Sequence, residues 1–316
     1  MRMGNRHASR RTDGRADAAN RLDLQIARFD RELAAQRGRL LTDGALCAGL
    51  LAAGFGDAAA PAQVRAAQAL DQLIADARSS LLRIDGAVGR DAQGLEVGGG
   101  VGLTYGWLTR LGVRVTSLEP AQSGHAHAYQ TGQRLLSLLG ISDAGYLPLC
   151  AHDAPSLGQG YDLIFSNNVL EHLSDLRGSL DALRRCLRPG GIMRHSCPNY
   201  LVPYEPHFGL PLPPLWPRLL ARVRRDLQDS ELWRELNFVS SLRLWRLAQQ
   251  LGLQIDFDRD PLYLAFVRLG QDESFARKHP WLHRVGTALD GAGVLPLLRW
   301  VPPTLATPMQ VTLRHG

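Results

Sequence analysis

Alternating glycines follow an acidic residue where a buried strand is expected to turn into a helix. Residues 96–102 read Glu-Val-Gly-Gly-Gly-Val-Gly. Glycine permits a positive φ and leaves no Cβ in the way of a ligand, and a glycine-rich turn before a helix is suited to nucleotide binding. A dinucleotide fingerprint that starts at Gly98 would need glycine or alanine at position 103, which is Leu103 here. The spacing therefore favours a different nucleotide-type ligand.

Acidic and polar side chains also follow the next predicted strands. Residues 113–118 alternate, contain β-branched side chains and end at Glu119, about twenty residues past the glycines, where a carboxylate can accept hydrogen bonds from ribose hydroxyls. Asp153 follows a third strand predicted near residues 146–149. Residues 161–173 combine a buried strand, a polar break and a short helical turn that contains Glu171-His172.

The pattern [D/E]-x-G-x-G-x-G at residues 96–102 and the stretch at residues 161–173 resemble the class I S-adenosylmethionine (SAM) dependent methyltransferases, of the small-molecule type with an EHL motif. The resemblance extends over residues 94–197, about a third of the chain. It implies SAM as the cofactor and S-adenosylhomocysteine as the product. It also implies an α/β, Rossmann-like sheet of strand order 3-2-1-4-5-7-6, with an antiparallel last strand, N-terminal helices and a loop or helical lid.

The resemblance assigns cofactor roles to individual positions. Glu119 would hold both ribose hydroxyls, and Asp153 would accept from the adenine amino group. The backbone N–H of Ala154 would reach a ring nitrogen. The remaining cofactor residues implied are Glu96, Gly98, Gly99, Gly100, Gly102 and Asn167.

A proline-rich segment over residues 198–214 is expected to form neither helix nor strand, and residues 200–214 are expected to act as a lid. Ligands of open α/β sheets bind outside the carboxyl ends of the strands, which places this segment beside the methyl donor. A hydroxyl acceptor keeps its proton at neutral pH, so a general base is needed, and the candidates are His172 and His207. Either Tyr204 or Glu205, which are close to His207 in sequence, could orient its ring. The predicted substrate-binding residues are Tyr200, Tyr204, Glu205 and Phe208.

No metal is predicted. Some relatives with an E-x-x-E-H stretch at this place bind a divalent ion, but Asn168 replaces the first glutamate. Loss of a hard carboxylate weakens a magnesium or manganese site. Glu171 and His172 remain, with His207 as the further candidate ligand.

Composition indicates an ordinary soluble protein, with 316 residues, 45% hydrophobic residues and a net charge of +6. A cytoplasmic location is expected from the cysteines, and the resemblance is to bacterial methyltransferases. No apolar run reaches the eighteen residues of a membrane span, and the four cysteines are scattered without a C-x-x-C pair. A nucleic-acid arm at the arginine-rich start is not favoured, because no aromatic residues are interleaved there.

The expected segments follow from these patterns. They are a disordered Arg-rich tail (1–16), an N-terminal helical segment (17–90), a SAM-binding core (91–199), a substrate lid (200–237) and a C-terminal completion of the sheet with an insertion (238–316). Within them, helices are expected over residues 20–39, 61–82 and 238–251, and a fifth strand over residues 192–197. Strands are also expected over residues 253–257 and 309–313.

The predicted activity is methylation of an oxygen, less readily a nitrogen, of a small molecule, glycan or lipid-linked sugar. Weak peripheral membrane contact is expected from the apolar, basic edge at residues 295–300. Two alternatives stay open. An RNA or protein methyltransferase is suggested by the basic start, although no Asn-Pro-Pro-Tyr-type motif follows the fourth strand. A non-catalytic SAM-binding partner subunit is the other.

Overall fold

The computed structural model describes residues 25–52, 60–84, 91–121, 126–213, 217–222 and 224–316. The predicted disordered tail at residues 1–16 lies outside these. The chain forms two compact units, the first made of Met1–Ala92 with Gly99–Pro148 and the second of Gln93–Gly98 with Leu149–Gly316.

Seven strands form the main sheet. They are β1 (Gln93–Val97), β2 (Arg114–Leu118), β3 (Tyr146–Leu147), β4 (Tyr161–Asn167), β5 (Leu187–Cys197), β8 (Leu253–Phe257) and β9 (Met309–His315). Their order is β3-β2-β1-β4-β5-β9-β8, and β9 runs antiparallel to both of its neighbours. With β8 and β9 counted as the sixth and seventh strands, this is the predicted order 3-2-1-4-5-7-6, so the fold prediction is confirmed.

The described residues of the first unit form five helices, besides β2 and β3. Its helices are α1 (residues 25–40), α2 (Gly44–Ala52), α3 (Ala62–Arg83), α4 (Leu103–Arg110) and α5 (Ala126–Leu138). In α3 the buried residues recur at three- and four-residue spacing, as the amphipathic pattern predicts: Ala66, Ala69, Leu70, Ala77, Ser80 and Leu81. Phe29 of α1 packs edge-on against Trp107 of α4, with ring centroids 5.1 Å apart.

The second unit contains the centre of the sheet. Leu95 of β1 pairs with Ile164 of β4, which in turn pairs with Met193 of β5, and all three are buried. The helices of this unit are α6 (Leu176–Arg185), α7 (Arg225–Gln228), α8 (Glu231–Glu235), α9 (Ser241–Gln250), α10 (Pro261–Gln271), α11 (Glu273–Lys278) and α12 (Pro280–Gly291). Short 3-10 turns lie at Ala151–Leu157, Leu170–His172, Pro217–Arg222, Leu295–Trp300 and Pro303–Leu305.

The expectation that residues 200–214 contain no strand is wrong. A hairpin forms there from β6 (Tyr204–Glu205) and β7 (Leu210–Pro211), with Gly209 at φ 64 in its connection. The hairpin tolerates prolines because only two residues of each of its strands take part in the pairing. The amide that follows β7, that of Leu212, donates to the Pro203 carbonyl at 2.9 Å.

Two element boundaries also differ from the expectation. Strand β5 begins at Leu187 rather than at residue 192, because a register shift in its pairing with β4 absorbs the Pro-Gly-Gly sequence. Helix α9 begins at Ser241 rather than at Phe238, which lies at φ 51 and therefore cannot be helical. Among the described residues, no helix combines the length and the apolar composition needed to cross a bilayer.

Candidate functional site

The glycine turn of the first unit precedes α4. Its Gly99 amide donates to the Leu118 carbonyl at 3.0 Å, which ties the turn to the end of β2. Gly100 and Gly102 have φ values of 54° and 72°, a region that residues with a Cβ rarely adopt. A Cβ built on Gly100 would meet no atom within 4 Å, so the backbone there is open to a ligand. This turn fits the nucleotide-type ligand that the sequence predicts.

Glu119 lies at the carboxyl end of β2, in the same unit. Its side chain is 5% exposed, and its Oε2 accepts a hydrogen bond from the Gly100 amide at 2.8 Å. The glycine turn therefore fixes the orientation of this carboxylate. Glu119, which is predicted to bind the ribose, is thus hydrogen-bonded to the predicted cofactor-binding glycine turn.

In the second unit, Glu96 lies near the end of β1 and Gly98 directly follows that strand. Glu96 is buried and pairs in register with Phe165 of β4. Gly98 has a φ of 70°, and a Cβ on it would overlap the Cγ2 methyl of Val169. Glycine is therefore required at position 98 by both the backbone conformation and the side-chain packing.

The predicted adenine-binding residues lie in the 3-10 turn Ala151–Leu157. The exposed Asp153 caps this turn, since its Oδ2 accepts the Cys150 amide at 2.9 Å. Ala154 is buried beneath it. Asn167, half-buried, is the last residue of β4.

A buried carboxylate follows β4. Asn168 adopts a φ of 55°, with its amide bonded to the Ser196 carbonyl at 2.7 Å, and the 3-10 turn Leu170–His172 comes next. The side-chain amide of Asn237 donates to the carbonyls of Leu170 and Leu173, at 2.7 and 2.9 Å. These bonds fix the turn that carries Glu171, whose side chain is fully buried.

Two histidines surround this carboxylate, and we call Glu171, His172 and His207 the Glu–His cluster. Oε1 of Glu171 lies 3.8 Å from Nε2 of His207 and 4.0 Å from Nε2 of His172. The two imidazole rings meet edge to face with centroids 5.3 Å apart. The structure thus brings together the two histidines that the sequence proposes as candidate bases.

Glu205 orients the ring of His207. Its Oε1 lies 2.6 Å from Nδ1 of His207 and accepts the Tyr200 hydroxyl at 2.9 Å, while Oε2 accepts the Phe208 amide at 2.7 Å. A carboxylate only accepts hydrogen bonds, so Nδ1 of His207 is the donor. In the neutral ring this leaves the lone pair on Nε2, which faces Glu171.

The two buried carboxyl groups differ in their proton affinity. Burial raises the pKa of Glu171 to about 7, although the nearby His207 opposes the shift. Burial also acts to raise the pKa of Glu205, but the hydrogen bonds from His207, the Phe208 amide and Tyr200 outweigh it and hold that pKa below its usual value. Environments that separate two carboxyl groups in this way are typical of functional sites. Burial and the neighbouring carboxylates raise the pKa of Tyr200, which stays a hydroxyl donor.

Two predicted substrate-binding residues lie apart from the cluster. The Tyr204 hydroxyl is 2.6 Å from Nδ1 of His279, and the tyrosine ring packs against Trp281. Phe208 packs on the buried side chain of Trp233, with centroids 5.9 Å apart. Of the four predicted side chains, only those of Tyr200 and Glu205 therefore join the hydrogen-bonded network around His207.

The sequence does not identify Glu171 as a catalytic or cofactor-binding residue. The adjacent Glu-His pair was visible, but nothing in the sequence showed that the glutamate would be the fully buried centre of the group. The sequence also does not single out His279, the buried partner of Tyr204. It is 2% exposed, and burial lowers its pKa to about 4.

Residues 66–256 match a family model described as a methyltransferase domain. This match covers more than half of the chain, so the protein belongs to that methyltransferase family. Together with the strand order, it identifies a class I SAM-dependent methyltransferase, with SAM as the cofactor.

The chain is also similar to individual proteins. An uncharacterized protein of Mycobacterium tuberculosis (strain H37Rv) is 32% identical over 229 residues, which cover 69% of this chain and 77% of the relative. A ubiquinone biosynthesis O-methyltransferase of Methylobacterium sp. is 29% identical over 102 residues, or 31% of this chain and 37% of the relative. Among solved structures, a geranyl diphosphate C-methyltransferase from Streptomyces coelicolor has 16% identity and a TM-score of 0.46, covering 84% of this chain and 85% of that one.

Proposed function

We propose that this methyltransferase transfers the methyl group of SAM to an oxygen, less readily to a nitrogen, of a small molecule, a glycan or a lipid-linked sugar. The observation that carries the proposal is the Glu–His cluster. Methyl transfer from a sulfonium needs chiefly alignment of acceptor, methyl carbon and sulfur. A hydroxyl must in addition lose its proton, whereas a neutral amine already offers a lone pair. Two half-buried imidazoles beside a buried carboxylate suit the first kind of acceptor.

His172 and His207 are the catalytic residues in this proposal. Both present Nε2 to the same carboxylate oxygen, at 4.0 and 3.8 Å, and the ring of His207 is fixed by Glu205. Tyr200 and Glu205 support the acceptor side of the site. The names of the relatives that are ubiquinone biosynthesis O-methyltransferases agree with an oxygen acceptor.

In this proposal the glycine turn holds SAM and Glu119 accepts its ribose hydroxyls. Asp153 and Ala154 are the residues proposed for the adenine. Two features support this assignment of the cofactor site: the open backbone at Gly100 and the buried carboxylate of Glu119, which accepts a backbone amide.

Lipid-linked acceptors are included because apolar side chains are exposed on the C-terminal helices and turns. Trp300 is 79% exposed and Leu297 is 59% exposed, and both belong to the 3-10 turn Leu295–Trp300, where residues three apart share a face. Such a face suits weak contact with a membrane or a lipid chain. We place the reaction in the cytoplasm.

Mass spectrometry of a small-molecule extract from the source organism tests the proposal. The protein is incubated with the extract and SAM that carries a carbon-13 methyl group. The expected product carries the labelled methyl on oxygen, and the carbon-13 NMR chemical shift of that methyl group would report the attachment. A product labelled only on carbon, or label found only in RNA or protein fractions, would refute the proposed acceptor class.

A further inference from the structure

The Glu–His cluster has the composition of a metal centre. One ligand atom from each of Glu171, His172 and His207 lies within 4.8 Å of the other two. We propose that the cluster binds a divalent first-row transition metal ion, with Zn²⁺ as the ion tested below, and that this ion receives the acceptor oxygen. The role of the ion in receiving the acceptor oxygen rests on the proposed function. Binding of the ion does not, because it is independent of what is methylated.

Glu171 provides the first argument. Its side chain has no exposed surface, and neither of its oxygens has a hydrogen-bond donor among the residues that the structure describes. A buried polar group of this kind is costly unless a partner satisfies it, and buried carboxylates are found paired or on metals. The two Nε2 atoms lie near Oε1 but beyond hydrogen-bond distance. A cation between the three side chains supplies the missing partner.

Glu205 provides the second argument. A metal-bound histidine nearly always donates its other ring N–H to a carboxylate or carbonyl, which fixes the tautomer and aims the ligand nitrogen. Nδ1 of His207 lies 2.6 Å from Oε1 of Glu205 in this way, and Nε2 faces Glu171. Glu205 is itself held by Tyr200 and by the Phe208 amide. The site therefore has both the ligands and the outer group that orients one of them.

The donor set indicates the kind of ion. Two imidazoles and one carboxylate suit zinc and its first-row neighbours, whereas magnesium and calcium prefer oxygen ligands throughout. Asn168, in place of a glutamate, removes a carboxylate that magnesium would prefer. The two imidazoles disfavour magnesium as well and favour a softer ion. Zinc bound at about 2.0–2.2 Å holds its ligand atoms about 3–3.5 Å apart, so the side chains need to close by about 1.5 Å or less.

Three protein ligands leave a coordination position open, as in catalytic zinc sites. A hydroxyl oxygen in that position gives up its proton at a lower pH than in water, and the proton passes to solvent. The oxygen then forms a bond to the methyl carbon while the carbon–sulfur bond breaks with its electron pair on sulfur. The products are the methyl ether and S-adenosylhomocysteine. In this scheme His172 and His207 act as ligands and hold the activating ion.

Calorimetry with chelator-treated full-length protein tests the site, with Zn²⁺ as the titrant and Co²⁺ absorption spectra as a second readout. We expect about one ion bound per chain, and visible Co²⁺ bands of imidazole ligation. Glu171→Gln should weaken Zn²⁺ binding at least about a hundredfold, and Glu205→Gln about 10–100-fold, as expected for loss of an orienting group. His283→Gln is the matched control. That half-buried histidine bonds the Leu269 carbonyl at 2.9 Å and should leave Zn²⁺ binding unchanged.

Affinity for S-adenosylhomocysteine, measured on every variant, shows that the variant is folded. Absence of Zn²⁺ and Co²⁺ binding, or binding that survives Glu171→Gln, overturns the metal site. Methyl transfer that persists in chelator without bound metal overturns it as well, and leaves the proposed function intact. Metal binding without methyl transfer to any hydroxyl acceptor would instead refute the proposed function.

Discussion

Nδ1 of His207 lies 2.6 Å from Oε1 of Glu205, and the same carboxylate oxygen accepts the Tyr200 hydroxyl at 2.9 Å. Glu205 is fully buried and has a lowered pKa, so it is an ionised carboxylate that is stabilised by hydrogen-bond donors from its own segment. The direction of the His207 ring therefore depends on residues within seven positions of it.

Tyr200→Phe should lower methyl transfer severalfold, because it removes one of the donors that hold Glu205. Tyr204→Phe is the matched control, since the Tyr204 hydroxyl bonds His279 instead. That control should reduce stability by about 1–3 kcal/mol, the cost of an unsatisfied buried partner, with transfer per folded molecule unchanged. Turnover assays and thermal unfolding of both variants measure the loss of methyl transfer and the loss of stability separately. Equal loss of turnover in the two would contradict the placement of Tyr204 outside the site.

Glu119→Ala should weaken binding of S-adenosylhomocysteine by about 1.5–3 kcal/mol for each hydrogen bond lost to a ribose hydroxyl. Asp153→Ala should weaken it less, because the exposed Asp153 already uses one oxygen to cap its own turn. Isothermal titration calorimetry gives both values. An unchanged affinity in Glu119→Ala would falsify the ribose assignment.

Gly98→Ala and Gly100→Ala separate backbone strain from packing. Both glycines have a positive φ, so alanine costs about 1–2 kcal/mol at either position. Only at Gly98 does the added methyl overlap Val169, while the space beside Gly100 is open. Gly98→Ala should therefore be clearly the less stable variant in thermal unfolding. If the two unfold at the same temperature, the tight packing at Gly98 is wrong.

Stability should fall in mild acid because of His195. Burial lowers the pKa of this histidine from 6.5 to about 4, and its Nδ1 lies 2.7 Å from the Ser166 hydroxyl. Between these pH values the unfolded chain takes up a proton that the folded chain does not. The contribution is therefore fully present above pH 6.5 and is lost as the pH falls towards 4.

His195→Gln should flatten part of the decline in stability between pH 6.5 and 4, and the remainder includes His279, whose pKa is lowered to about 4 in the same way. His315→Gln, at an exposed position of β9, should leave the profile unchanged. Denaturant unfolding at a series of pH values measures both. A wild-type stability that is constant over this range would rule out the buried neutral histidine.

The sequence predicted the sheet because its signals are local: alternating β-branched residues in the strands, glycines in the turns and helical spacing of apolar residues. Glu119 and the glycines could be foreseen as a pair because a motif of fixed spacing contains both. Glu171 could not be ranked above other carboxylates, since the turn that carries it is held by Asn237, which lies 66 positions away. Tyr204 was expected near His207 because they are close in sequence, but within a strand side chains alternate between faces, and its partner is His279.

Methyl transfer by His207→Ala, measured together with its affinity for S-adenosylhomocysteine, tests the role of the Glu–His cluster most directly. We predict at least about a tenfold loss of turnover, because the group that activates the acceptor is removed. Cofactor affinity should stay within about threefold, as for a site that does not contact the ligand. His283→Ala serves as the control and should keep both values. Full turnover per folded molecule in His207→Ala would contradict the account.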